Sequence, residues 1–392
     1  MKRILPPFLL GFILIQALSV SLEAMPAFAR RYSTTCKTCH APFPHLKPYG
    51  EEFAANGFVI ADKETPRYTI DTGDGLLALL REVPVALRLD GFASFNNAGT
   101  GRLQFVSPFI LKFLSGGELF KKVSYYFYFF FSERGEVAGL EDAYVMFNDL
   151  LGTGLGLVIG QFQVSDPLFK RELRLTQEDY QIYGSRPGLS GIDLTYDRGL
   201  MLNARLRAGT DLTLEVVNGS GIGAADAEKN FDSDAYKNFV FRASQSLSRQ
   251  LRLGGFLYLG RERLGDGRNS VWIFGADASV KSPPFEFNFQ FVERHDGNPL
   301  SFPEGGTAEG IGTRGAFAEL VYLPKGDDSR WYGVGLVNWV SSGEPALDRF
   351  FLTAGGGFLL SRNMRLTGEA TFYQQSPWGK HIRLSAGLVT AF

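Results

Sequence analysis

The stretch Phe285-Glu286-Phe287-Asn288-Phe289-Gln290-Phe291 alternates strictly between phenylalanine and a polar residue. Successive side chains of a β-strand point to opposite faces, so this alternation predicts a strand with one apolar and one polar face. The same period of two recurs over 85–95 and 364–373, and less strictly over 251–262. Most of these runs extend over about 10 to 13 residues, which is long for a soluble sheet and typical of a tilted transmembrane β-strand.

The pattern predicts sixteen such strands. They lie at 85–96, 102–114, 121–132, 137–148, 154–163, 191–207, 211–218, 236–246, 251–263, 269–281, 285–295, 313–323, 329–341, 348–360, 364–375 and 381–392. An even number is expected when antiparallel strands close with both chain ends on one side of the membrane. The three longest connections, 164–190, 219–235 and 296–312, all fall on the other side. We therefore predict an all-β fold, an antiparallel outer-membrane barrel over 85–392 with a polar lumen.

The two ends of the chain fit export to the outer membrane. Lys2 and Arg3 precede an apolar run over 8–18, which predicts a signal peptide over 1–24. That run is shorter than the roughly 20 residues of a membrane-spanning helix. At the other end, an alternating strand finishes on Phe392, which resembles the signal by which outer-membrane barrels are recognised for insertion. The formal net charge of -1 argues against a nucleic-acid partner.

Cysteine chemistry is confined to one pentapeptide, Cys36-Lys37-Thr38-Cys39-His40, because the chain contains only two cysteines. The Cys-X-X-Cys-His pattern is that of c-type haem attachment, in which two thiols form thioethers and the histidine takes one axial position on the iron. A thioredoxin-like dithiol would need a βαβ pattern around it, and a zinc site would need more ligands nearby than His45 supplies. We predict one covalent haem c on Cys36 and Cys39, with His40 as the proximal iron ligand.

The haem-bearing segment spans 25–66, and a linker over 67–84 connects it to the first strand. About 40 residues are too few to bury an adequate core unaided. We expect this segment to be mainly helical or irregular and to lean on the barrel. Its place just ahead of the first strand predicts that it forms a plug in the lumen.

The motifs around the pentapeptide support a resemblance. They are Pro26-Ala27-Phe28-Ala29-Arg30, Phe43-Pro44, Leu46, Tyr49-Gly50, Phe53 and Asn56-Gly57-Phe58. In these features the segment resembles that of the fused monohaem cytochrome-porin family of outer-membrane iron oxidases. The barrel is similar to sixteen-stranded porins in a general way, through Glu141-Asp142-Ala143-Tyr144, Gly160-Gln161-Phe162 and Val217-Asn218-Gly219-Ser220-Gly221. The resemblance implies that ferrous iron is oxidised outside or in the lumen, and that a soluble periplasmic carrier receives the electron.

The second axial ligand of the iron stays open. His45 lies too close to His40 to wrap around the haem, and we expect it to hydrogen-bond a propionate or face solvent. His295 and His381 fall at strand ends, where we expect surface residues. The remaining candidates, beside an open iron position, are Met25, Met146 and Met201.

Several other side chains have two interpretations. Arg30 and Arg31 could pair with haem propionates, although a solvated pair is the simpler interpretation. Carboxylates facing the lumen could pass a cation inward, but we favour charge balance with neighbouring arginines. The carboxylates are Asp90, Asp142, Glu286 and Glu369, and the arginines are Arg88, Arg205, Arg365 and Arg383. We expect four aromatic residues to pack the haem edge and the core of the segment: Phe28, Phe43, Phe53 and Phe58.

Three functions are consistent with these features. The first is an electron conduit through one haem, from extracellular Fe(II) to a periplasmic carrier, in a barrel surrounded by outer-membrane lipid. Whether it is an Fe(II)-oxidising enzyme stays open. The second is a solute-conducting porin whose haem-containing plug gates or senses, and the third is a haem enzyme such as a peroxidase. We favour the first because a covalent haem without an evident distal acid-base residue suits outer-sphere electron transfer. A filled lumen would argue against the second.

Overall fold

Sixteen antiparallel strands form a closed barrel in the computed structural model, which describes residues 27–60, 73, 74, 77, 80, 83–98, 102–232, 234–302 and 309–392. Each strand pairs with its neighbours in sequence, and β1 pairs with β16 to close the barrel. The strands are β1 (Val85–Asn96), β2 (Arg102–Phe120), β3 (Val123–Glu133), β4 (Gly139–Leu150), β5 (Leu155–Gln163), β6 (Tyr196–Arg205), β7 (Thr210–Val217), β8 (Asn238–Ser246), β9 (Leu251–Leu264), β10 (Gly267–Ser282), β11 (Phe285–Asp296), β12 (Ile311–Tyr322), β13 (Trp331–Ser342), β14 (Arg349–Ser361), β15 (Met364–Gln375) and β16 (His381–Ala391). The predicted fold class is confirmed. The predicted signal peptide lies outside the described residues.

The alternation in β11 produces the two faces expected of it. Phe285, Phe287 and Phe289 are exposed on the outer wall, whereas Asn288 and Gln290 are buried inside the barrel. An outer wall of this kind is what a strand in contact with lipid requires. Among the described residues, no helix combines the length and the apolar character that crossing a membrane would take.

The connections divide between the two ends of the barrel. We call one end the turn end, because the short turns 121–122, 151–154, 206–209, 247–250, 283–284, 323–330 and 362–363 lie there. At the opposite end, the loop end, lie the three longest connections, at 164–195, 218–237 and 297–310. The predicted separation of short and long connections is therefore confirmed.

The connection between β5 and β6, residues 164–195, folds into the barrel, and we call it the inner loop. Its two ends meet where the backbone N–H of Val164 donates to the carbonyl of Thr195 at 2.9 Å. Tyr180 stacks on Phe317 of β12 with 4.0 Å between ring centroids. Around it lies an apolar core of loop and inner-wall side chains, including Tyr183, Ile192, Leu194, Val271, Ile273, Val292, Leu336 and Val340. The inner loop therefore packs an apolar core against part of the inner wall, whose other positions hold buried polar side chains.

The N-terminal segment lies across the turn end. It contains helix α1 (Ala27–Tyr32), a 3-10 turn at Cys36–Thr38 and helix α2 (Pro48–Ala55). Three aromatic side chains, Phe28, Phe53 and Phe58, pack together with Tyr32, whose hydroxyl donates to the carbonyl of Phe58 at 2.7 Å. The segment is helical and irregular, as predicted, and its small core is completed by Tyr126 of β3.

Candidate haem-attachment site

The 3-10 turn brings Cys36, Cys39 and His40 together. The N–H groups of Cys39 and His40 both donate to the carbonyl of Cys36, at 3.2 and 2.8 Å. Thr35 caps the turn, since its hydroxyl accepts from the N–H of Lys37 at 3.1 Å. The two thiols and the imidazole of the predicted site therefore project from one compact turn.

Helix α2 packs directly on this turn. A Cβ at Gly50 would lie 2.5 Å from the carbonyl oxygen of Cys39, a distance that real Cβ atoms essentially never show. Only glycine allows the helix to approach the backbone of the cysteine so closely. The aromatic-glycine pair Tyr49-Gly50 thus has a clear structural reason.

The ring of His40 is oriented by one hydrogen bond. Its Nδ1 lies 2.8 Å from the carbonyl oxygen of Pro44, so Nδ1 carries the proton and Nε2 keeps its lone pair. Burial lowers the pKa of His40 to about 4, so the imidazole is neutral at neutral pH. A metal-binding histidine is commonly held in this way, by a backbone carbonyl on the nitrogen that does not bind the metal.

Both thiols are free, and both are partly exposed. Burial raises the pKa of Cys36 and of Cys39, which leaves each as an uncharged thiol at neutral pH. Beside them lies a cleft between the segment and the turn end of the barrel, lined by His40, Phe43, Leu323, Leu359 and Arg362 among others.

These residues fit a covalently attached haem. Two thiols and one imidazole whose Nε2 carries no proton are the donor set that the group uses, and a cleft with both apolar and charged lining residues adjoins them. The described residues contain no group of three His, Cys, Asp or Glu side chains that could hold a metal ion.

Ion pairs tie the segment to the barrel at the turn 323–330. Lys37 contacts Asp328, and Lys47 contacts Asp327. Nearby, Nε2 of His45 lies 3.1 Å from Oε1 of Glu286 in β11. Burial alone would lower the pKa of His45, but Glu286 raises it above its ordinary value. His45 therefore anchors the segment to the inner wall, a role that the sequence did not predict.

A tight contact at Gly57 gives the first prediction. Gly57 has φ +69, and a Cβ there would overlap the side chains of Asn148 and Ser124 on the inner wall. Left-handed backbone costs a non-glycine residue about 1–2 kcal/mol, and the overlap adds to this cost. We expect Gly57→Ala to loosen the segment from the barrel, measured as faster proteolysis within 27–60 while the barrel stays intact.

Gly152→Ala is the matched control, because Gly152 has φ +75 with no atom within 4 Å of the added Cβ. It carries the same backbone strain without the contact. Equal protection of the segment in wild type and Gly57→Ala would contradict the docking seen here.

The other histidines and the methionines occupy different places. His295 is half-buried and stacks on Trp272 of the outer wall. The expectation of a surface position is wrong for His381, which is 5% exposed and stacks on Tyr373 at 4.1 Å. Met146 and Met201 belong to the apolar core of the lumen. Met25 lies outside the described residues. None of these packing roles identifies a second iron ligand.

The predicted charge balance holds in part. Arg88 pairs with Asp90 at 2.7 Å, and Arg383 pairs with Glu369 at 3.0 Å. Arg365 instead donates to the hydroxyl of Tyr332, and Arg205 is exposed and pairs with Asp211. Glu286 binds His45, and Asp142 is buried on the inner wall. Arg30 donates to the carbonyl of Val85, where the barrel begins.

The inner loop is held by buried charges that the sequence did not single out. Nζ of Lys112 lies 3.1 Å from Oε2 of Glu172, and Arg383 lies 2.8 Å from Glu178. Burial alone would raise the pKa of Glu172 and of Asp179, but adjacent cations lower both to about 2. The cations are Lys112, Arg174 and Arg171 for Glu172, and Arg174 and Arg171 for Asp179.

These pKa values predict how the inner loop responds to acid. A carboxylate with a lowered pKa stabilises the folded state above its ordinary pKa and loses that contribution as the pH falls through the lowered one. We expect the stability of the loop to be unchanged from neutral pH to about pH 5, to decrease below the ordinary pKa values of these carboxylates, and to lose their contribution near about pH 2. Conductance of the barrel in planar bilayers, measured against pH, tests this.

An Asp179→Asn variant removes one ion pair at every pH and should loosen the loop at neutral pH. Asp226→Asn, in the exposed connection 218–237, is the control and should behave as wild type. A conductance that rises already between pH 7 and pH 5 in the wild-type protein would contradict the prediction.

Comparison with known proteins shows the fold. No family model matches the sequence, and no curated protein matches it. Among solved structures, the anion-selective porin from Comamonas acidovorans has a TM-score of 0.57 at 12% identity, over 79% of this chain and 99% of that chain. Pseudomonas putida OprB has a TM-score of 0.55 at 11% identity, over 79% of this chain and 94% of that one. The outer membrane channel DcaP of Acinetobacter baumannii has a TM-score of 0.54 at 12% identity, over 79% and 97%. The chain is therefore similar in fold to outer-membrane porins.

Proposed function

We propose that the protein is an outer-membrane electron conduit that carries one covalent haem c. Its turn end faces the periplasm, and electrons pass from an extracellular donor, ferrous iron, to a soluble periplasmic carrier. The observation that carries this proposal is the anchored His40 in the Cys-X-X-Cys-His turn, at one mouth of a barrel into which its own loop folds and packs. Such a barrel supports the passage of electrons better than the passage of solutes.

Different residues around the turn would bind different parts of the haem. Cys36 and Cys39 would form the thioethers, and His40 would present Nε2 to the iron because Pro44 occupies its other nitrogen. Phe43, Leu323 and Leu359 would supply the apolar part of a cleft that Lys37, Asp327 and Arg362 also line. When bound, the haem supplies a centre that accepts and releases one electron at a time.

The position of the site fits a partner in solution. Lys37 and its partner Asp328 are exposed at the turn end, so a soluble protein can approach the cleft without entering the barrel. An electron on the haem could therefore pass directly to this soluble protein, without a further carrier inside the barrel.

The reduction of the haem tests the proposal. We expect ferrous iron, added anaerobically at neutral pH to the oxidised, detergent-solubilised protein, to reduce the haem rapidly, as seen in its visible spectrum. Dithionite serves as the control for an intact haem, and a His40→Ala variant should respond poorly to iron. A haem that dithionite reduces and ferrous iron leaves oxidised would remove iron as the donor.

A solute channel is the second candidate, and the likeness of the barrel to porins favours it. Conductance in planar bilayers separates the two functions. If the wild-type protein at neutral pH conducts no more than the bilayer without protein, the result supports the conduit. Stable ion-conducting steps in the wild-type protein support the channel.

A further inference from the structure

A conduit with one haem at the turn end leaves the rest of the membrane to be crossed. The apolar band of an outer-membrane barrel is about 25 Å tall. The described residues hold one Cys-X-X-Cys-His motif and no group of three metal-ligating side chains. Electrons from the loop end must therefore travel through the protein itself.

An unbroken series of aromatic rings lies along this route. Cys39 packs against the cluster of Phe53 and Phe58. Phe58 stacks on Tyr126 of β3, with 5.0 Å between centroids and 26° between ring planes. From there the series continues up the inner face of β3 through Tyr128, at 6.1 Å from Tyr126, to Phe130, 5.6 Å further.

The series ends at Phe130, three residues before the loop end of β3. Tyr126 and Phe130 are four residues apart in an extended strand, which spans about 14 Å. Tyr128 and Phe130 are almost completely buried, and the hydroxyl of Tyr128 is hydrogen-bonded to that of Tyr196, at the loop end of β6. Among the residues that the structure describes, Phe58 on Tyr126 is the ring contact that joins the haem segment to the barrel wall.

We propose that Tyr126, Tyr128 and Phe130 form the electron path between the loop end and the haem. This inference rests on the proposed function and adds to it the residues through which the electron passes. One electron leaves the donor and arrives at the haem, no bond forms or breaks and no proton moves. The rings are neither oxidised nor reduced overall. They speed the transfer because closely packed π-systems couple donor and acceptor better than saturated side chains.

One cation beside the rings, Lys112, supports this form of transfer. Nζ of Lys112 lies 4.5 Å from the ring centroid of Tyr128 and 5.1 Å from that of Phe130. A positive charge over an aromatic face makes the removal of an electron from the ring more costly. The path therefore depends on the rings and not on the hydroxyl groups, so phenylalanine should replace Tyr128 and leucine should not.

Photoinduced electron transfer tests the path without any iron chemistry. A ruthenium photosensitiser is attached to a single free cysteine, at Glu136→Cys beside β3 or at Ala346→Cys beside β13, both exposed at the loop end. The native thiols are consumed by the haem and do not react. A light flash then injects an electron, and the haem spectrum reports its arrival.

We expect Tyr128→Leu to slow the transfer several-fold from the label at Glu136→Cys and to leave the transfer from Ala346→Cys unchanged. Tyr128→Phe should keep the wild-type rate from both labels. The midpoint potential and absorption spectrum of the haem should be the same in all variants. In the haem-free Cys36→Ala/Cys39→Ala protein, the near-ultraviolet circular dichroism of the coupled rings should weaken with Tyr128→Leu.

Equal rates in wild type and Tyr128→Leu from the label at Glu136→Cys would overturn the path. So would equal slowing from both labels, because it would indicate a general structural effect. The proposed function fails in a different way, if ferrous iron leaves the haem oxidised while the photoinjected electron still arrives.

Discussion

We expect the double variant Cys36→Ala/Cys39→Ala to have no covalently attached haem. The denatured variant should therefore show no haem absorption, whereas the denatured wild-type protein should keep it. Both thiols project from the turn that begins at Cys36, and the chain has no other cysteine to replace them. Each thioether needs one thiol, so the double variant has none to offer. Haem staining of the denatured protein and its pyridine haemochrome spectrum measure the effect.

Two further variants separate attachment from iron ligation. Lys37→Ala/Thr38→Ala changes the two residues between the cysteines and leaves the thiols in place, so haem should still be attached. His40→Ala should keep at least one thioether and change the spectrum, because the iron loses the imidazole that Pro44 holds in position. Covalent haem in the double cysteine variant would contradict the assigned site.

Shortening the inner loop is expected to convert the barrel into an open channel, with a conductance about tenfold or more above that of the wild type. Because Val164 and Thr195 are hydrogen-bonded to each other, a short Gly-Ser linker can replace 167–192 without straining β5 or β6. The deletion removes Tyr180, Tyr183 and Ile192 from the apolar core. A barrel of sixteen strands emptied in this way leaves room for water.

The control shortens another connection at the same end. Deletion of 224–230 removes exposed residues of the connection 218–237 and leaves the inner loop untouched. It should keep the wild-type conductance. If the inner-loop deletion conducted no better than this control, the loop would not be what closes the lumen, and the haem segment would be left as the closing element.

The barrel could be predicted from the sequence because the face that a strand residue occupies depends only on its position along the strand. In β11 each side chain's face follows from its position alone, so Phe287 and Asn288 reveal their surroundings without any knowledge of the fold. The attachment turn is equally local, since Cys36, Cys39 and His40 lie within five residues. The prediction of the barrel, which the structure confirms, and the prediction of a haem site, which stays a prediction, both rest on spacing along the chain.

The interior could not be predicted in this way. The inner loop has no period, and its contacts join residues far apart in sequence, such as Tyr180 with Phe317 or Glu178 with Arg383. A signal was nevertheless present. The stretch 164–195 contains large apolar side chains that an exposed loop does not need, among them Leu168, Phe169, Tyr180 and Ile182. His45 was misjudged for the same reason, because its partner Glu286 lies 241 residues away.

The seam between β1 and β16 has a consequence for how the molecule is made. Arg88 lies opposite Ala391, so the contact that closes the barrel joins the beginning of the first strand to the end of the last. Pairing over such a separation is slow, and both edge strands stay open to wrong partners until it happens. The N-terminal segment with its two thiols precedes all sixteen strands along the chain. If haem is attached as proposed, the thiols of Cys36 and Cys39 are available throughout this delay, and attachment can be complete before the barrel closes.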